Sequence, residues 1–168
     1  MKNKKETAQI PTVTIEKIVV SSGLGRMRLN NAQFEDKVLP EIMNEFATIV
    51  GQRPKVTRAR MSVAGFKVRA GEPVGIVATL RGKRKDDFLI KLVNTALPRV
   101  RDFKGVSSAH VDQAGNLNLG FKDQFVFPEP IPEFSKLSFG LEVTVVVKAK
   151  SREDAIAFYR ASGIPVNE

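Results

Sequence analysis

Residues 51–82 read GQRPKVTRARMSVAGFKVRAGEPVGIVATLRG, and the last third of this stretch contains the clearest strand of the chain. From Val74 to Arg81 the side chains alternate between an apolar set and a mixed set. The apolar set is Val74, Ile76, Ala78 and Leu80, and the mixed set is Val77, Thr79 and Arg81. Alternation with a period of two is typical of a strand that buries one face, so the face of Thr79 and Arg81 meets solvent or a partner.

A second extended segment, from Lys55 to Arg60, is joined to this strand by a long excursion. The excursion runs from Met61 to Gly75 and is punctuated by Gly65, Gly71 and Pro73. It is longer than a hairpin connection requires, and loops of this length in compact domains are usually functional or disordered.

The rest of the chain mixes strands and helices. β-Branched residues predict a strand over 13–20, broken by Ser21-Ser22-Gly23, and alternation predicts strands over 117–122 and 141–148. Helical spacing predicts helices over 31–50, capped by Asn31 and interrupted by Pro40, over 84–97, ended by Pro98, and from a capping box at Ser151 to Gly163. We therefore predict an α+β fold, in which helices cover one face of an antiparallel β-sheet. It forms a single domain over 12–168, with a long Gly-rich loop at 58–75, after a flexible basic lead-in at 1–11.

The positive charge of the chain is concentrated in residues 51–104. This segment holds 14 of the 27 Lys and Arg residues but four of the 18 acids, which makes it +10, whereas the remainder is −1. The basic residues are interleaved with Gly, Val, Ile and Ala, so they belong to folded structure. A folded basic surface indicates a polyanion binder, most often of nucleic acid, although a solvated surface that only aids solubility is the alternative.

Other function classes find little support in the composition. Cysteine is absent, which excludes disulfides and thiolate metal sites and fits a reducing compartment. No apolar run approaches the roughly 18–20 residues that cross a bilayer, and no basic amphipathic helix predicts membrane binding. The one histidine, His110, lies in a polar loop, and no phosphate-cradling motif is present. We expect no catalytic site and no cofactor. With no Trp and one Tyr, an aromatic platform for single-stranded bases is disfavoured.

Residues 51–82, together with LVNTALPRVRDFKG (92–105) and GNLNLGFKDQFVFPEP (115–130), resemble the bacterial-type large-subunit ribosomal protein five family. The resemblance covers about residues 11–166. It implies a structural role in the cytoplasmic ribosome, where such proteins bind 5S rRNA in the central protuberance. The implied partners are 5S rRNA, 23S rRNA, P-site tRNA, neighbouring large-subunit proteins and a small-subunit head protein at an intersubunit bridge.

The resemblance also assigns roles to particular positions. The 5S rRNA-binding residues are Ser21 (where the family usually has Asn), Gln52, Lys55, Thr79 and Arg81. The tRNA-facing loop presents Arg58, Arg60, Lys67 and Arg69, and further rRNA contacts fall to Arg99, Arg101 and Lys104. Glu129 and Glu133, which flank a proline turn as exposed acids, lie near the intersubunit bridge. The family commonly has a helix before its first strand, where this chain has about ten polar residues.

Two other hypotheses are compatible with the sequence. A free-standing RNA-binding regulator would use the same basic face, and its RNAs would be varied messengers instead of 5S rRNA. An enzyme ranks third, because no catalytic constellation is present.

Overall fold

The β-sheet is built around strand β1 (Thr14–Gly23), which pairs antiparallel with β3 (Pro73–Leu80) and β6 (Leu141–Lys148). Strand β2 (Lys55–Arg58) pairs with β3 and strand β5 (Leu117–Phe121) with β6. The order is therefore β2-β3-β1-β6-β5, and every pairing is antiparallel. Two short strands, β4 (Val106–Ser107) and β7 (Val166–Asn167), pair in parallel outside this sheet. This computed structural model describes residues 13–31, 33–101, 103–131, 135 and 137–167.

The helices form the second layer. They are α1 (Gly25–Asn30), α2 (Leu39–Val50), α3 (Lys83–Lys91), α4 (Leu97–Arg99) and α5 (Arg152–Ala161). A π-helical turn precedes α2 (Phe34–Val38), and another joins α3 to α4 (Leu92–Ala96). Short 3-10 turns lie at Ala64–Phe66, Ser108–His110 and Gln124–Val126.

One face of the sheet is buried against these helices. Its central side chains come from four strands and are all at most 8% exposed: Ile18, Val20, Ile76, Ala78, Leu80, Leu117, Leu119, Phe121, Leu141, Val143 and Val145. Helix residues of the same core include Ile42 and Phe46 of α2, Phe88 of α3 and Tyr159 of α5. The α+β class and the single covered face are thus confirmed.

Several boundaries differ from expectation for identifiable reasons. Strand β1 does not break at Ser21-Ser22-Gly23 but runs to Gly23, because the buried Ser22 donates its hydroxyl hydrogen bond to the Gly140 carbonyl at 2.6 Å. Asn31 does not begin a helix; it ends α1, and its side-chain amide donates to the Met27 carbonyl. Pro40 lies in the first turn of α2, directly after the π-helical turn, so the expected interruption is the change from π-helical to α-helical geometry at Val38 and Leu39.

Gly75 lies where the sheet leaves no room for a side chain. A Cβ atom there would lie 2.7 Å from the Ser22 carbonyl oxygen and 3.0 Å from the Thr57 Oγ1. Gly75 faces Gly23 on β1 and Thr57 on β2, so a side chain would push three strands apart.

The one tyrosine of the chain fastens α5 to the sheet. Tyr159 is fully buried, and its hydroxyl lies 2.8 Å from the Gly115 carbonyl and 3.3 Å from the Val145 carbonyl. Burial raises the pKa of this phenol above its ordinary value of 10.0, because the charged form would lose its hydration.

This environment predicts how the protein unfolds in alkali. Because the folded pKa is raised, the stability that Tyr159 contributes is complete below about pH 10 and declines above it, where the unfolded chain ionises first. Absorbance at 295 nm reports this single tyrosine, and we expect its ionisation to coincide with loss of circular dichroism. Tyr159→Phe should remove the absorbance change. A titration centred near pH 10 in a protein that remains folded would contradict the prediction.

Candidate RNA-binding surface

The second face of the sheet is open, since the described helices pack on the first. The side chains that alternate with the buried set lie on this open face: Lys17, Val19, Ser21, Lys55, Thr57, Val77, Thr79, Asn118, Glu142, Thr144 and Val146. They are half-buried or exposed. Within the described strands the open face holds no aromatic side chain and so no stacking surface; besides three valines and Glu142 it offers hydroxyls, the Asn118 amide and two lysines.

The basic end of the open face lies where β2 begins. The Gln52 side chain donates to the Thr79 carbonyl at 3.3 Å, and Arg84 donates to the Gln52 Oε1 at 3.2 Å. Lys55 and Arg81 are exposed beside them. The fold thus brings together four of the five residues expected to bind 5S rRNA, and it adds Arg84 from the first turn of α3.

Ser21, the fifth expected residue, lies on β1 in the same cross-strand row as Lys55, because both residues pair with Val77 of β3. Its hydroxyl is 3.4 Å from the Glu142 carboxylate on the neighbouring strand. Thr144 donates to the Asn118 side chain at 2.8 Å in the same region. The open face therefore has a basic end at β2 and β3 and an acidic position at Glu142.

The loop between β2 and β3 is internally hydrogen-bonded. It runs over 59–72 and not over the predicted 58–75, since β2 ends at Arg58 and β3 begins at Pro73, one residue before the predicted Val74. At its base the Ala59 N–H donates a hydrogen bond to the Glu72 carbonyl. Nearer the tip, Val63 and Val68 form an antiparallel bridge around the Ala64–Phe66 turn. The loop has the form of a hairpin, with residues 61–67 all exposed at its tip.

Arg28 connects this hairpin to α1. Its Nη1 lies 2.6 Å from the Glu72 carboxylate and its Nη2 donates to the Lys67 carbonyl at 2.5 Å, while its side chain is only 14% exposed. Glu72 also accepts from the Arg69 backbone N–H at 2.6 Å. Lys67 has a φ of +50°, a left-handed conformation that is costly for a non-glycine residue. Arg28 stabilises the turn in which that conformation occurs, a role that the sequence pattern did not indicate.

The four basic residues expected on the loop differ in their surroundings. Arg58 forms an ion pair with Glu35 at 2.9 Å and donates to the Gly71 carbonyl, so it holds the base of the hairpin. Arg60, Lys67 and Arg69 are exposed. Among the described residues, the side chains of these three have no ion-pair partner.

The remaining expected site residues lie off the open face. Arg99, Arg101 and Lys104 are exposed at and beyond the end of α4, on the helical side of the sheet. Glu129 is not an exposed acid: it is 22% exposed and lies 2.5 Å from the Lys91 Nζ, which also donates to the Ile49 carbonyl. This ion pair ties the proline-rich segment to α2 and α3. Glu133 lies outside the described residues.

Within the part of the chain that the structure describes, no group of three or more His, Cys, Asp or Glu residues could hold a metal ion. No helix in the same part combines the length and the apolar character that crossing a membrane requires.

Known proteins resemble the chain along almost its whole length. A family model described as Ribosomal protein L5 matches residues 9–69, and a second model, for the C-terminus of the same ribosomal family, matches residues 73–166. The chain is 44% identical over 156 residues to large ribosomal subunit protein uL5 of Halothermothrix orenii, which covers 92% of this chain and 83% of the relative. It is 42% identical over 160 residues to uL5 of Synechococcus elongatus, covering 95% and 86%. It is 45% identical over 154 residues to uL5c of Guillardia theta, covering 92% and 82%.

The position of Arg28 predicts that it orders the loop. Arg28→Gln removes charge-assisted hydrogen bonds that contribute roughly 1.5–3 kcal/mol each, so we expect the Phe66, Lys67 and Arg69 amides to exchange hydrogen about tenfold faster or more. Exchange in β1 and β6 should not change.

Arg26→Gln is the matched control, because Arg26 lies on the same helix, is exposed and has no ion-pair partner among the described residues. Equal effects of the two variants on loop exchange, measured by NMR, would show that Arg28 does not hold the hairpin.

Proposed function

The chain belongs to the ribosomal protein L5 family, and from that premise we propose that it binds 5S rRNA with the open face of its sheet. Membership makes the chain a structural, non-enzymatic protein of the large ribosomal subunit in the cytoplasmic ribosome. Its partners are rRNA and other ribosomal proteins. We propose further that it contacts P-site tRNA and contributes to an intersubunit bridge, each through a different surface.

The observation that carries the 5S rRNA proposal is the cluster at the basic end of the open face. Gln52 is held between the Thr79 carbonyl and Arg84, so contacts within the protein fix the orientation of its amide. Lys55, Arg81 and Arg84 supply charge for phosphates beside the Thr79 hydroxyl. Double-stranded RNA is recognised by its shape, its phosphates and its 2′-hydroxyls, and a polar face without aromatic residues in its described strands suits that mode of recognition.

Charge also indicates how the RNA lies on this face. Glu142 would repel phosphates, and it lies beside Ser21, toward the end of β1 that is farther from Gln52. We place the RNA backbone over β2 and β3, where the basic residues are, with Ser21 at the margin of the contact. The shorter side chain of Ser21, compared with the Asn usual in the family, is consistent with a weaker contribution there.

The hairpin loop at 59–72 is the surface proposed for P-site tRNA. Lys67 and Arg69 project from a turn that Arg28 stabilises, so phosphate contacts there incur little ordering cost. Arg60 lies in the part of the hairpin that follows β2. Arg58 holds the base of the hairpin through its ion pair with Glu35. We propose that Arg99, Arg101 and Lys104 contact 23S rRNA, because they form a separate basic group on the helical side.

The segment after β5 is the surface proposed for the intersubunit bridge, to which Glu129 and Glu133 were assigned. Buried Gln124 fastens it by donating to the Leu137 carbonyl at 2.6 Å and accepting from the Phe139 N–H. A groove of about 410 Å³ beside it is lined by Glu41, Glu45, Glu129 and the exposed Ile131, among others. An acidic and apolar lining suits a basic protein and repels RNA, which supports a protein partner here.

Thr79 provides the test of the 5S rRNA proposal. Thr79→Val keeps the shape and strand propensity of the side chain but removes its hydroxyl, and we expect 5S rRNA affinity to fall by about 1–3 kcal/mol. The thermal midpoint should change little. Affinity is measured by filter binding at several salt concentrations, because phosphate contacts make it salt-dependent.

Thr48→Val is the control, because Thr48 is an exposed residue of α2, on the covered side of the sheet. Unchanged affinity of the Thr79 variant, or a loss equal to that of the control, would refute the role of the open face.

The proposed tRNA contact has its own test in the Lys67→Ala, Arg69→Ala double variant. Both side chains are exposed, so folding, 5S rRNA binding and subunit assembly should be nearly normal. Retention of P-site tRNA on purified ribosomes should weaken modestly, because two phosphate contacts are a small part of that site. Poor assembly with normal tRNA retention would assign the loop to rRNA.

A further inference from the structure

The hairpin loop and α1 enclose an apolar groove that the proposed contacts with phosphates do not use. The groove has a volume of about 570 Å³ and is lined mainly by apolar side chains: Leu29, Ala59, Met61, Val63, Phe66, Val68 and Val74. Phe66 is 73% exposed, Met61 69% and Leu29 50%. Contiguous exposed apolar surface of this kind usually marks an interaction site.

Contacts within the protein hold the two walls of the groove in place. One wall belongs to α1 and the other to the hairpin, and Arg28 joins them through Glu72 and the Lys67 carbonyl. The Leu24 N–H also donates to the Val74 carbonyl at 2.9 Å, which fixes the start of α1 against β3. A ligand would therefore enter a preformed cleft.

Charge around the groove identifies the ligand class. Arg26 and Arg60 line it and are exposed, and neither has an ion-pair partner among the described residues. Lys67 and Arg69 lie on the same hairpin. An apolar peptide would leave these cations unused, whereas a nucleotide combines a flat apolar base with an anionic phosphate.

We propose that this groove binds an unpaired nucleotide of RNA, with the base against Phe66 and the phosphate near Arg26 and Arg60. Stacking on an aromatic ring recognises single-stranded bases, and Met61 and Leu29 give the other edge of the base an apolar surface. This inference extends the proposed function and rests on it, because it gives the loop a second mode of contact with RNA beside its phosphate contacts.

The absence of tryptophan from the chain allows a direct test by fluorescence. Phe66→Trp places a single tryptophan in the groove, and Ile90→Trp places one on α3, where Ile90 is 60% exposed. The probes are an RNA hairpin with a five-nucleotide unpaired loop and a fully paired duplex of the same length. We expect the RNA hairpin to quench the fluorescence of the Phe66→Trp variant and not that of the Ile90→Trp variant. The duplex should quench neither.

A second pair of variants tests whether the aromatic ring of Phe66 is required, as stacking on a base demands, or whether any apolar side chain is sufficient. Phe66→Leu keeps the apolar character but removes the ring, so affinity for the RNA hairpin should fall about tenfold, as expected for loss of one stacked base. Ile90→Leu should have no effect. Affinity is measured by anisotropy of the labelled RNA hairpin.

Three results would overturn the inference: binding of the RNA hairpin without quenching in the Phe66→Trp variant, equal quenching by the duplex, or full affinity in Phe66→Leu. The effect of Thr79→Val on 5S rRNA affinity does not depend on any of these three results, because Thr79 lies on the open face and not in the groove. The same set of variants therefore distinguishes an error in the groove proposal from an error in the proposal that the open face binds 5S rRNA.

Discussion

The antiparallel pairing of β1 with both β3 and β6 is the constraint on which the rest of the molecule depends. Because its register places Ile18 opposite Leu80 and Val145, and Val20 opposite Ala78 and Val143, one face becomes continuous and apolar. A shift of one residue would turn these side chains toward solvent. The buried residues of the described helices join this one core, so the second face is left for polar side chains. The candidate binding surface is thus a direct consequence of the strand register.

Local patterns were sufficient to predict much of this fold. The α+β class, strands β3, β5 and β6, and the Ser151 cap follow from periods and caps that span a few residues, and the structure contains all of them. The errors arose where a distant partner decides the outcome. Ser22 was expected to break the strand, yet it is buried within it because Gly140 accepts its hydrogen bond from 118 residues away.

The positions of the candidate site residues in the fold could be predicted only in part, and their binding roles stay predictions. Period-two alternation placed Thr79 on the open face, and the resemblance supplied Gln52 and Ser21. Arg84 was missed because its contact with Gln52 joins residues 32 positions apart. Arg28 was missed for the same reason, since it meets Lys67 across 39 positions. The sequence predicts an exposed Glu129, because no local pattern indicates that it forms an ion pair with Lys91, which is 38 positions earlier in the chain.

The concentration of positive charge in residues 51–104 acquires a structural meaning once the chain is folded. The segment contributes β2, β3, the hairpin and the α3–α4 helices, so most of its cations form three groups, at the edge of the open face, on the hairpin and at the end of α4, while Lys83, Lys85 and Lys91 lie on α3. The open face and the helices that include α4 lie on opposite sides of the sheet, so one straight RNA duplex would not contact both the first group and the last. A protein at a junction between several RNA surfaces needs such a division. The rigid sheet fixes the relative positions of the three groups, because β2 and β3 carry both the open face and the hairpin. If RNA binds at one group, the others are already oriented, which would lower the entropic cost of a second contact.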